Sequence, residues 1–301
     1  MAIPDKVPWW QRVMWPAAFV AAFLLSLYWT FPTEPLARRI EAEARAQGYD
    51  VSIGQLSLWR GTGVALKQVA VMPPPSQAGA EPLHVVLEEV DARLNVLPLL
   101  FGHRSIYFRA LAWSGKLTGT YSEAKSARDV SFELADLDLA GAVPLRQLTG
   151  LDFGGKVSGS GKLSLDAQKG LPAASGKVSA KIAGGGVTGG SVYGFPVKAG
   201  LGNIEAALTI ASGDAKLDRL TAKSGDIEAE GDGVVHLRPL AALSPLDAKF
   251  RVKPGQPWLD LNPLVKGAMT LPAVANAKDP DGWLSYKIAG TLGAPLPRPG
   301  R

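Results

Sequence analysis

The sequence contains no cysteine and only three histidines among its 301 residues. The absence of cysteine excludes disulfide bonds, thiol catalysis and zinc sites with cysteine ligands, and it leaves the redox compartment open. His84, His103 and His236 are scattered, with no HExxH motif and no second ligand at helical spacing. We therefore predict neither a metal site nor a cofactor.

Runs of basic residues and catalytic motifs are also lacking. The net charge of +5 is modest for this length, and no Lys/Arg run marks a nucleic-acid groove. No GxSxG nucleophile elbow occurs. The Gly-Lys pairs are followed by apolar residues such as Leu117 and Val157, whereas a phosphate-binding loop needs Ser or Thr there. These absences predict a non-enzymatic protein that does not bind nucleic acid.

Two polar stretches superficially resemble ligand-binding loops. The acidic stretch 226–233 suggests a calcium loop, but Pro239 stands where the closing glutamate would fall. Its carboxylates alternate with Ile227 and Ala229, which predicts the solvent-facing side of a strand. The glycines between 184 and 190 are not followed by a helix, so we interpret them as a flexible turn.

The longest apolar run is 13–31, which has no charged residue. At 1.5 Å per residue it spans about 28 Å, close to the ~30 Å hydrocarbon core of a bilayer. Trp and Tyr residues lie towards both ends, as in the aromatic belts at membrane interfaces. A cleaved signal peptide is the alternative, but bulky Trp29 and Phe31 stand where small residues should precede a cleavage site. We predict an uncleaved membrane anchor.

The anchor also has a predicted orientation. Lys6, Arg12 and the terminal amine favour an N-terminus inside the cell, although Arg38 and Arg39 weaken the bias. The residues that we assign to the anchor are Val13, Phe19, Phe23, Leu24, Leu25, Leu27 and Trp29.

A short amphipathic helix is predicted after the anchor, within residues 32–48. Thr33 can cap it, Gly48 can end it, and Leu36, Ile40 and Ala44 recur every four residues. This narrow apolar stripe would dock on a sheet edge or lie along the membrane surface, and docking is the simpler interpretation.

The stretch His84–Thr120 contains the pattern that the rest of the chain repeats. Apolar residues such as Val90 alternate with charged residues such as Asp91, and this period of two predicts a half-buried strand. The apolar stretch 97–102 interrupts the pattern because Pro98 cannot donate to a ladder. Two more strands follow, so the unit is strand, apolar Pro-Leu turn, strand, strand.

Elements of this unit recur at irregular spacing. Pro-Leu turns beside strands are Leu97-Pro98-Leu99, Val143-Pro144-Leu145, Arg238-Pro239-Leu240 and Asn262-Pro263-Leu264. Similar strand starts are Ser114-Gly115-Lys116-Leu117, Gly154-Gly155-Lys156-Val157 and Ser175-Gly176-Lys177-Val178. The irregular spacing indicates a degenerate repeat of a supersecondary unit rather than a strict solenoid.

Two changes of phase interrupt the alternation. Ile53 and Leu56 fall on opposite parities, which predicts a bulge near Gly54. A second slip separates Leu134 from Leu137. Beyond residue 49 we predict almost nothing but strands, with a proline-rich loop at 73–82.

The predicted fold is therefore mainly β, with one N-terminal transmembrane helix, a short helix and a long antiparallel sheet. The predicted divisions are 1–31 for the cytoplasmic stub and anchor, 32–48 for the helix, 49–295 for the β-rich domain and 296–301 for a C-terminal tail. One face of such a sheet is apolar and must be covered by closure, stacking, a partner or lipid. Periodicity does not choose among these.

Three segments carry a resemblance to a known family: the N-terminal anchor, the helix ending in Gly-Tyr-Asp-Val, and the block VDARLNVLPLLFGHRSIYFRALAWSGKLTG. Together they resemble the AsmA-like envelope proteins, in which such β-units form an open groove. The chain length, the single anchor and the segment 286–295 resemble more narrowly the type II secretion system protein N (GspN) family. The resemblance implies a bacterial inner-membrane protein with a periplasmic C-terminal domain. It also implies partners among the other type II secretion subunits.

The sequence supports two hypotheses for the function. The first is a non-enzymatic, membrane-anchored accessory or assembly component of type II secretion that acts through protein contacts. The second is a lipid-binding or lipid-transfer module whose apolar residues line a trough for phospholipid acyl chains. The residues predicted to line this groove are Ile106, Phe108, Phe132, Ile204, Leu208, Phe250 and Ile288. A hydrolase of the cell envelope is a third interpretation, for which the sequence offers no residues.

Overall fold

The structure is a computed structural model, and it describes residues 26, 32–46, 48–59, 63–72, 83–99, 102–192, 195–240 and 243–300. These residues form a mainly β protein, as predicted, with several short helices in addition to the one predicted after the anchor. The strands are β1 (Asp50–Trp59), β2 (Gly63–Met72), β3 (Val85–Leu94), β4 (Arg104–Ala112), β5 (Gly115–Glu123), β6 (Ala127–Asp138), β7 (Leu151–Asp166), β8 (Gly170–Val192), β9 (Phe195–Pro196), β10 (Ala199–Ala211), β11 (Asp214–Lys223), β12 (Ile227–His236), β13 (Pro245–Pro254), β14 (Leu284–Thr291) and β15 (Ala294–Pro299). The helices are α1 (Thr33–Ala46), α2 (Val96–Leu99), α3 (Val143–Thr149), α4 (Gln256–Leu261), α5 (Pro263–Ala268) and α6 (Pro272–Ala275).

The strands form one long antiparallel sheet in which order in space follows order in the chain. The exception is β9, which pairs only with β8, so that β8 pairs directly with β10. The terminal strands β1 and β15 do not pair with each other, and the sheet is therefore open. The prediction of a long antiparallel sheet is confirmed. Closure of the sheet on itself is excluded as the way in which its apolar face is covered.

Tight turns connect several neighbouring strands. Trp113 and Ser114 link β4 to β5 with φ values of 50° and 59°. Positive φ at both central residues is the type I′ geometry, whose twist matches that of the flanking strands. The phase slip predicted after Leu134 is also present, because Leu134 pairs with Gly159 and Leu137 with Val157. This bulge returns Leu137 to the face that Leu134 occupies.

Three of the four Pro-Leu turns form short helices. Pro98 lies in α2, Pro144 lies in α3, and Pro263 begins α5, which follows α4. Proline fits the first helical turn because its missing N–H would have no partner there. The fourth turn, at Pro239, follows β12, and its described residues 237–240 are not helical. The repeated unit is thus strand, helical turn, strand in three places.

The helix predicted after the anchor is present and docks on the sheet. α1 contacts β1, and the backbone N–H of Ile53 donates to Glu41 Oε1 at 2.9 Å. Leu36, Ile40 and Ala44 are half-buried. Of the two predicted placements, the structure has the docked one, and Glu41 satisfies one outward-pointing donor of the edge strand.

The predicted bulge near Gly54 is wrong. β1 and β2 pair in one continuous register on both sides of Gly54, from Asp50 opposite Met72 to Trp59 opposite Gly63. The phase change in the sequence instead reflects a strand that is apolar on one face at its start and on the other face at its end.

The flexible turn predicted at 184–190 is also wrong. These residues lie within β8, which pairs with β7 on one side and β10 on the other. Glycine is required here by close backbone packing: a Cβ on Gly186 would lie 2.8 Å from the carbonyl oxygen of Ala199. The pattern was misread because a paired strand of glycines has no apolar side chains to reveal its period.

Two predicted boundaries also change. Gly155 and Gly176 lie inside the long strands β7 and β8, so two of the three predicted strand starts are internal. The predicted tail at 296–301 contributes most of β15, which pairs with β14 through Pro299.

The predicted anchor residues and the proline-rich loop 73–82 lie outside the described residues. Within the described part of the chain, no helix has the length and hydropathy needed to cross a membrane.

Candidate functional site

The candidate site is the apolar face of the sheet between β4 and β14, which we call the apolar strip. Residues directly opposite each other on paired strands share a face, so the ladders define transverse rows. The first row consists of Phe108, Gly119, Phe132, Gly161, Val178, Leu208, Leu217, Gly233, Ala248 and Ile288. On one side of it lies the row Ile106, Tyr121, Val130, Leu163, Gly176, Ile210, Ala215, Val235, Leu246 and Gly290.

Two more rows lie on the other side of the first. The nearer one consists of Ala110, Leu117, Leu134, Gly159, Ala180, Ala206, Leu220, Gly231, Phe250 and Tyr286. The farther one consists of Leu137, Val157, Ile182, Ile204, Ala222, Ala229, Val252 and Leu284. Every residue of the four rows is glycine, aliphatic or aromatic, so the strip contains no charged or amide side chain.

All seven residues predicted to line a groove lie on the apolar strip. The first row contains four of them: Phe108, Phe132, Leu208 and Ile288. This row crosses the sheet from β4 to β14 and is about 43 Å long, at ~4.8 Å per strand. The other three, Ile106, Ile204 and Phe250, each occupy a different row of the strip. The four rows together are about 20 Å wide, at ~6.8 Å for each step of two residues.

Two bulges keep the strip continuous. One separates Leu134 from Leu137, and the other separates Leu217 from Leu220, where the pairing of β11 shifts against β10 and β12. Each bulge adds a residue to one strand, so apolar residues three apart still face the same side. The second bulge was not predicted, although its leucine spacing is the same as that of the first.

Three phenylalanines of the strip lie over glycines of the neighbouring strand. A Cβ on Gly161 would come within 2.5 Å of the Phe132 ring, and a Cβ on Gly119 or Gly231 would collide with Phe108 or Phe250. Each ring therefore covers a stretch of backbone that has no side chain of its own. This packing keeps the strip shallow and continuous.

No thick core lies beneath the strip in the described residues. The buried apolar residues there are Leu56, Ala65, Val69, Ala110, Ala112, Ala142, Ala174, Ala199, Ala215, Ala222, Ala248, Leu259, Ala277 and Leu284. Most are alanines, whereas the seven predicted groove residues are all only half-buried. A wide, partly exposed apolar face of this kind marks an interaction surface for protein, ligand or lipid.

Two cavities are lined mainly by polar side chains of the opposite face of the sheet, and residues of the strip lie between those side chains. One of about 660 Å³ is lined by residues of β4 to β10, including Phe132, Val178 and Leu208. The other, of about 620 Å³, includes Phe250 and Tyr286. The remaining predicted groove residues do not line either cavity. The structure therefore aligns all seven residues on one face, whereas these two cavities are formed mainly by the other face.

The opposite face of the same strands is polar. Its first row consists of Thr120, Ser131, Lys162, Lys177, Thr209 and Lys216. On this face the Lys181 ammonium lies 2.9 Å from Glu205 and lowers the pKa of that carboxyl, through the hydrogen bond first and the charge second. The sheet is thus apolar on one face and charged on the other.

A charged cluster on the polar face was not predicted. Asp91, assigned to the solvent side of a strand, is fully buried, and its carboxylate accepts from Arg109 Nε at 2.6 Å. Arg109 also pairs with Glu89 at 3.1 Å. The signal was present in the sequence, because a hairpin around the 97–102 turn brings Asp91 opposite Arg109.

No group of acidic and histidine side chains in the described residues could hold a metal ion. The carboxylates of β12 line a strand face as predicted, and Glu230 pairs with Arg251 at 2.8 Å. His236 Nδ1 lies 2.7 Å from Asp214 Oδ1, and both side chains are exposed. The apolar strip, on the other face, can bind apolar groups.

The geometry thus defines a class: a mainly β protein built on a single open antiparallel sheet with one apolar face. No protein-family model, curated protein or solved structure matches the chain.

Proposed function

We propose that this protein is a non-enzymatic accessory or assembly component of the type II secretion system, anchored in the bacterial inner membrane and acting in the periplasm. The observation that carries the proposal is the apolar strip, a continuous apolar face on an open sheet whose large side chains are mostly partly exposed. A face of this kind binds a partner, and the resemblance to the GspN family suggests that the partner is another secretion subunit.

The proposal includes a finer description of the fold. We propose that the sheet is curved into an open groove of the AsmA type, built from repeated units of strand, helical turn and strand. The recurrence of helical turns at Pro98, Pro144 and Pro263 supports this description. The bulges after Leu134 and Leu217 support it as well, since bulges bend the strands that carry them.

A second candidate function is the binding or transfer of phospholipid. The specific observation in its favour is the chemistry of the four rows, which offer no hydrogen-bonding amide or charge to a peptide partner. Their width of about 20 Å exceeds the ~15 Å half-thickness of a hydrocarbon core, so an acyl chain along the strands would be covered over its length.

Substitution of Phe132 by Glu tests whether the strip is the functional surface. Phe132 is half-buried on the face, so the charge should leave the sheet folded while opposing any apolar occupant by several kcal/mol of desolvation. In a strain lacking the gene, wild-type protein should restore secretion of a type II substrate and Phe132→Glu should not. The matched control is Ala207→Glu, an exposed position on the polar face beside Leu208.

Three results would count against the proposal. Secretion that is unchanged by deletion of the gene would remove the secretion role. Full activity of Phe132→Glu would remove the strip from the function. Circular dichroism that shows an unfolded Phe132→Glu protein would place Phe132 in an ordinary core instead.

The two candidates differ in what accompanies the purified protein. Mass spectrometry of the full chain extracted from membranes should detect bound phospholipid in the lipid-binding case, with less in Phe132→Glu or Phe250→Glu than in Ala207→Glu. Absence of phospholipid above the level of an unrelated anchored protein would leave the protein-contact function.

A further inference from the structure

A second surface lies on the polar face, at the end of the sheet nearest the N-terminus. A cavity of about 470 Å³ opens there across β1 to β5. It is lined by Trp59, Arg93, Asn95, Tyr107, Arg109, Lys116 and Thr120. We call it the cationic cavity, because three of these side chains are cations and none is a carboxylate.

The walls of the cationic cavity come from one transverse row of the sheet. Trp59, Gly63, Arg93, Tyr107 and Thr120 are successive partners across β1 to β5. Gly63 contributes no side chain, and a Cβ there would lie 2.6 Å from a backbone oxygen. Along this row, Trp59 and Tyr107 therefore flank a gap, and Arg93 is the one side chain between them.

The two aromatic side chains close over this gap. Strands β1 and β4 are three strand spacings apart, about 14 Å in a flat sheet. The rings of Trp59 and Tyr107 nevertheless stack at 6.2 Å between centroids. The ring of Trp59 also carries the Arg109 guanidinium at 5.8 Å. The cavity thus has a preformed aromatic wall on which a cation is already positioned.

Arg109 is fixed from behind by carboxylates outside the cavity. Asp91, fully buried, and Glu89 both bind it, so its guanidinium is held in place and its charge is largely balanced. By contrast, Arg93 and Lys116 pair with no carboxylate in the part of the chain that the structure describes. The cavity therefore presents two cations that form no ion pair among the described residues, beside a third cation that carboxylates hold in place.

We propose that the cationic cavity binds a phosphate monoester, whose charge of about −2 at neutral pH matches those two cations. A phosphate group accepts several charge-assisted hydrogen bonds at once, and arginine and lysine are the side chains that supply them. Asn95 and Thr120 add neutral polar groups for hydroxyls next to the phosphate. The phosphate belongs to a soluble phosphomonoester or to a lipid headgroup, and the following experiment separates these sources. The proposal goes beyond the function of the apolar strip, because the cavity lies on the other face.

The experiment uses the full chain in a maltoside detergent, which contains no phosphate. Calorimetric titration with glycerol 3-phosphate tests the soluble source, and flotation with phosphatidylcholine vesicles with or without phosphatidic acid tests the headgroup. The variant combines Arg93→Gln with Lys116→Gln. The control combines Lys162→Gln with Lys177→Gln, which removes two exposed lysines from the same face outside the cationic cavity.

We expect the wild type and the control to bind one of these probes, and the cavity variant to bind it at least about tenfold more weakly. Binding of glycerol 3-phosphate identifies a soluble ligand, and dependence on phosphatidic acid alone identifies a headgroup. Equal losses in variant and control would reduce the effect to net surface charge and overturn the proposal. Failure of the wild type to bind either probe would overturn it as well, even if the secretion phenotype of Phe132→Glu is as expected.

Discussion

Asp91 is a fully buried carboxylate whose Oδ1 has no hydrogen-bond partner among the described residues, while Oδ2 binds Arg109. A buried charge is tolerated only when an opposite charge accompanies it. Arg109, about one-third exposed, joins this carboxylate to Glu89 and to the ring of Trp59. The pair thus links β1, β3 and β4 through side chains rather than through backbone.

Replacing Asp91 by Ala should destabilise the protein by about 2 kcal/mol, because Arg109 would lose the buried one of its two carboxylate partners and keep only Glu89. The double change Asp91→Leu with Arg109→Met removes both charges and should recover much of that loss. Chemical denaturation of the full chain in detergent measures both values. A double variant that is less stable than Asp91→Ala would show that packing, rather than charge pairing, dominates here.

The residue scale is also where sequence reasoning was least successful. The parity of Asp91 in β3 indicated a solvent-facing side chain, but alternation assigns a face and does not say how deeply that face is covered. On the same face, Trp59 and Tyr107 stack across three strand spacings beside Arg109, a long-range contact that a local pattern does not contain.

At the scale of the element, alternation was the reliable signal. It predicted β3, β4, β10 and β13 with the correct faces, and it predicted the bulge after Leu134. It failed at the glycines of β8, where the pairing is held by close backbone contact rather than by side chains. It also failed at Gly54. There the apolar residues move from one face of β1 to the other, and the alternation predicted a change of register instead.

The last strand has a feature that blocks its free edge. The backbone N–H of Gly300 donates to the carbonyl oxygen of Ser285 in β14, so the even-numbered residues of β15 direct their N–H groups towards β14. The odd-numbered positions face outwards, and all of them are proline: Pro295, Pro297 and Pro299. These prolines remove every outward donor from β15 without costing a ladder hydrogen bond. The edge therefore offers no N–H donor to another strand, which opposes regular edge-to-edge pairing.

Replacing both Pro295 and Pro299 with Val should create outward donors and promote self-association. Size-exclusion chromatography with light scattering, on the full chain in detergent, should show a larger fraction of oligomer than for the wild type. The control, Ala294→Val with Leu296→Val, adds β-branched side chains without adding outward donors. An equal increase in the control would attribute the association to hydrophobicity.

At the scale of the molecule, the sheet is stabilised mainly by contacts between neighbouring strands. Buried apolar residues are mostly alanines, so no central core ties distant strands together in the described part of the chain. The sequence predicted this two-faced sheet but left four ways to cover its apolar face. The open edges at β1 and β15 exclude closure, and the choice among stacking, a partner and lipid depends on molecules outside this chain.

Hydrogen exchange should therefore vary along the sheet instead of following one global opening. Strands with long partners on both sides, such as β7, β8 and β10, should exchange most slowly, and β15 should exchange fastest because it is short and paired on one side only. Mass spectrometry of deuterium uptake by peptide measures this gradient. Uniform uptake across all strands would indicate a cooperative core that ties the sheet together.

Because almost every strand pairs with the one made immediately before it, the order of synthesis is also the order of assembly. Each hairpin can add to the sheet as soon as it exists, and no strand has to wait for a distant segment of chain. The same connectivity makes length easy to change in evolution: a hairpin gained or lost from the middle lengthens or shortens the ribbon by two strands and leaves the remaining neighbours as they were.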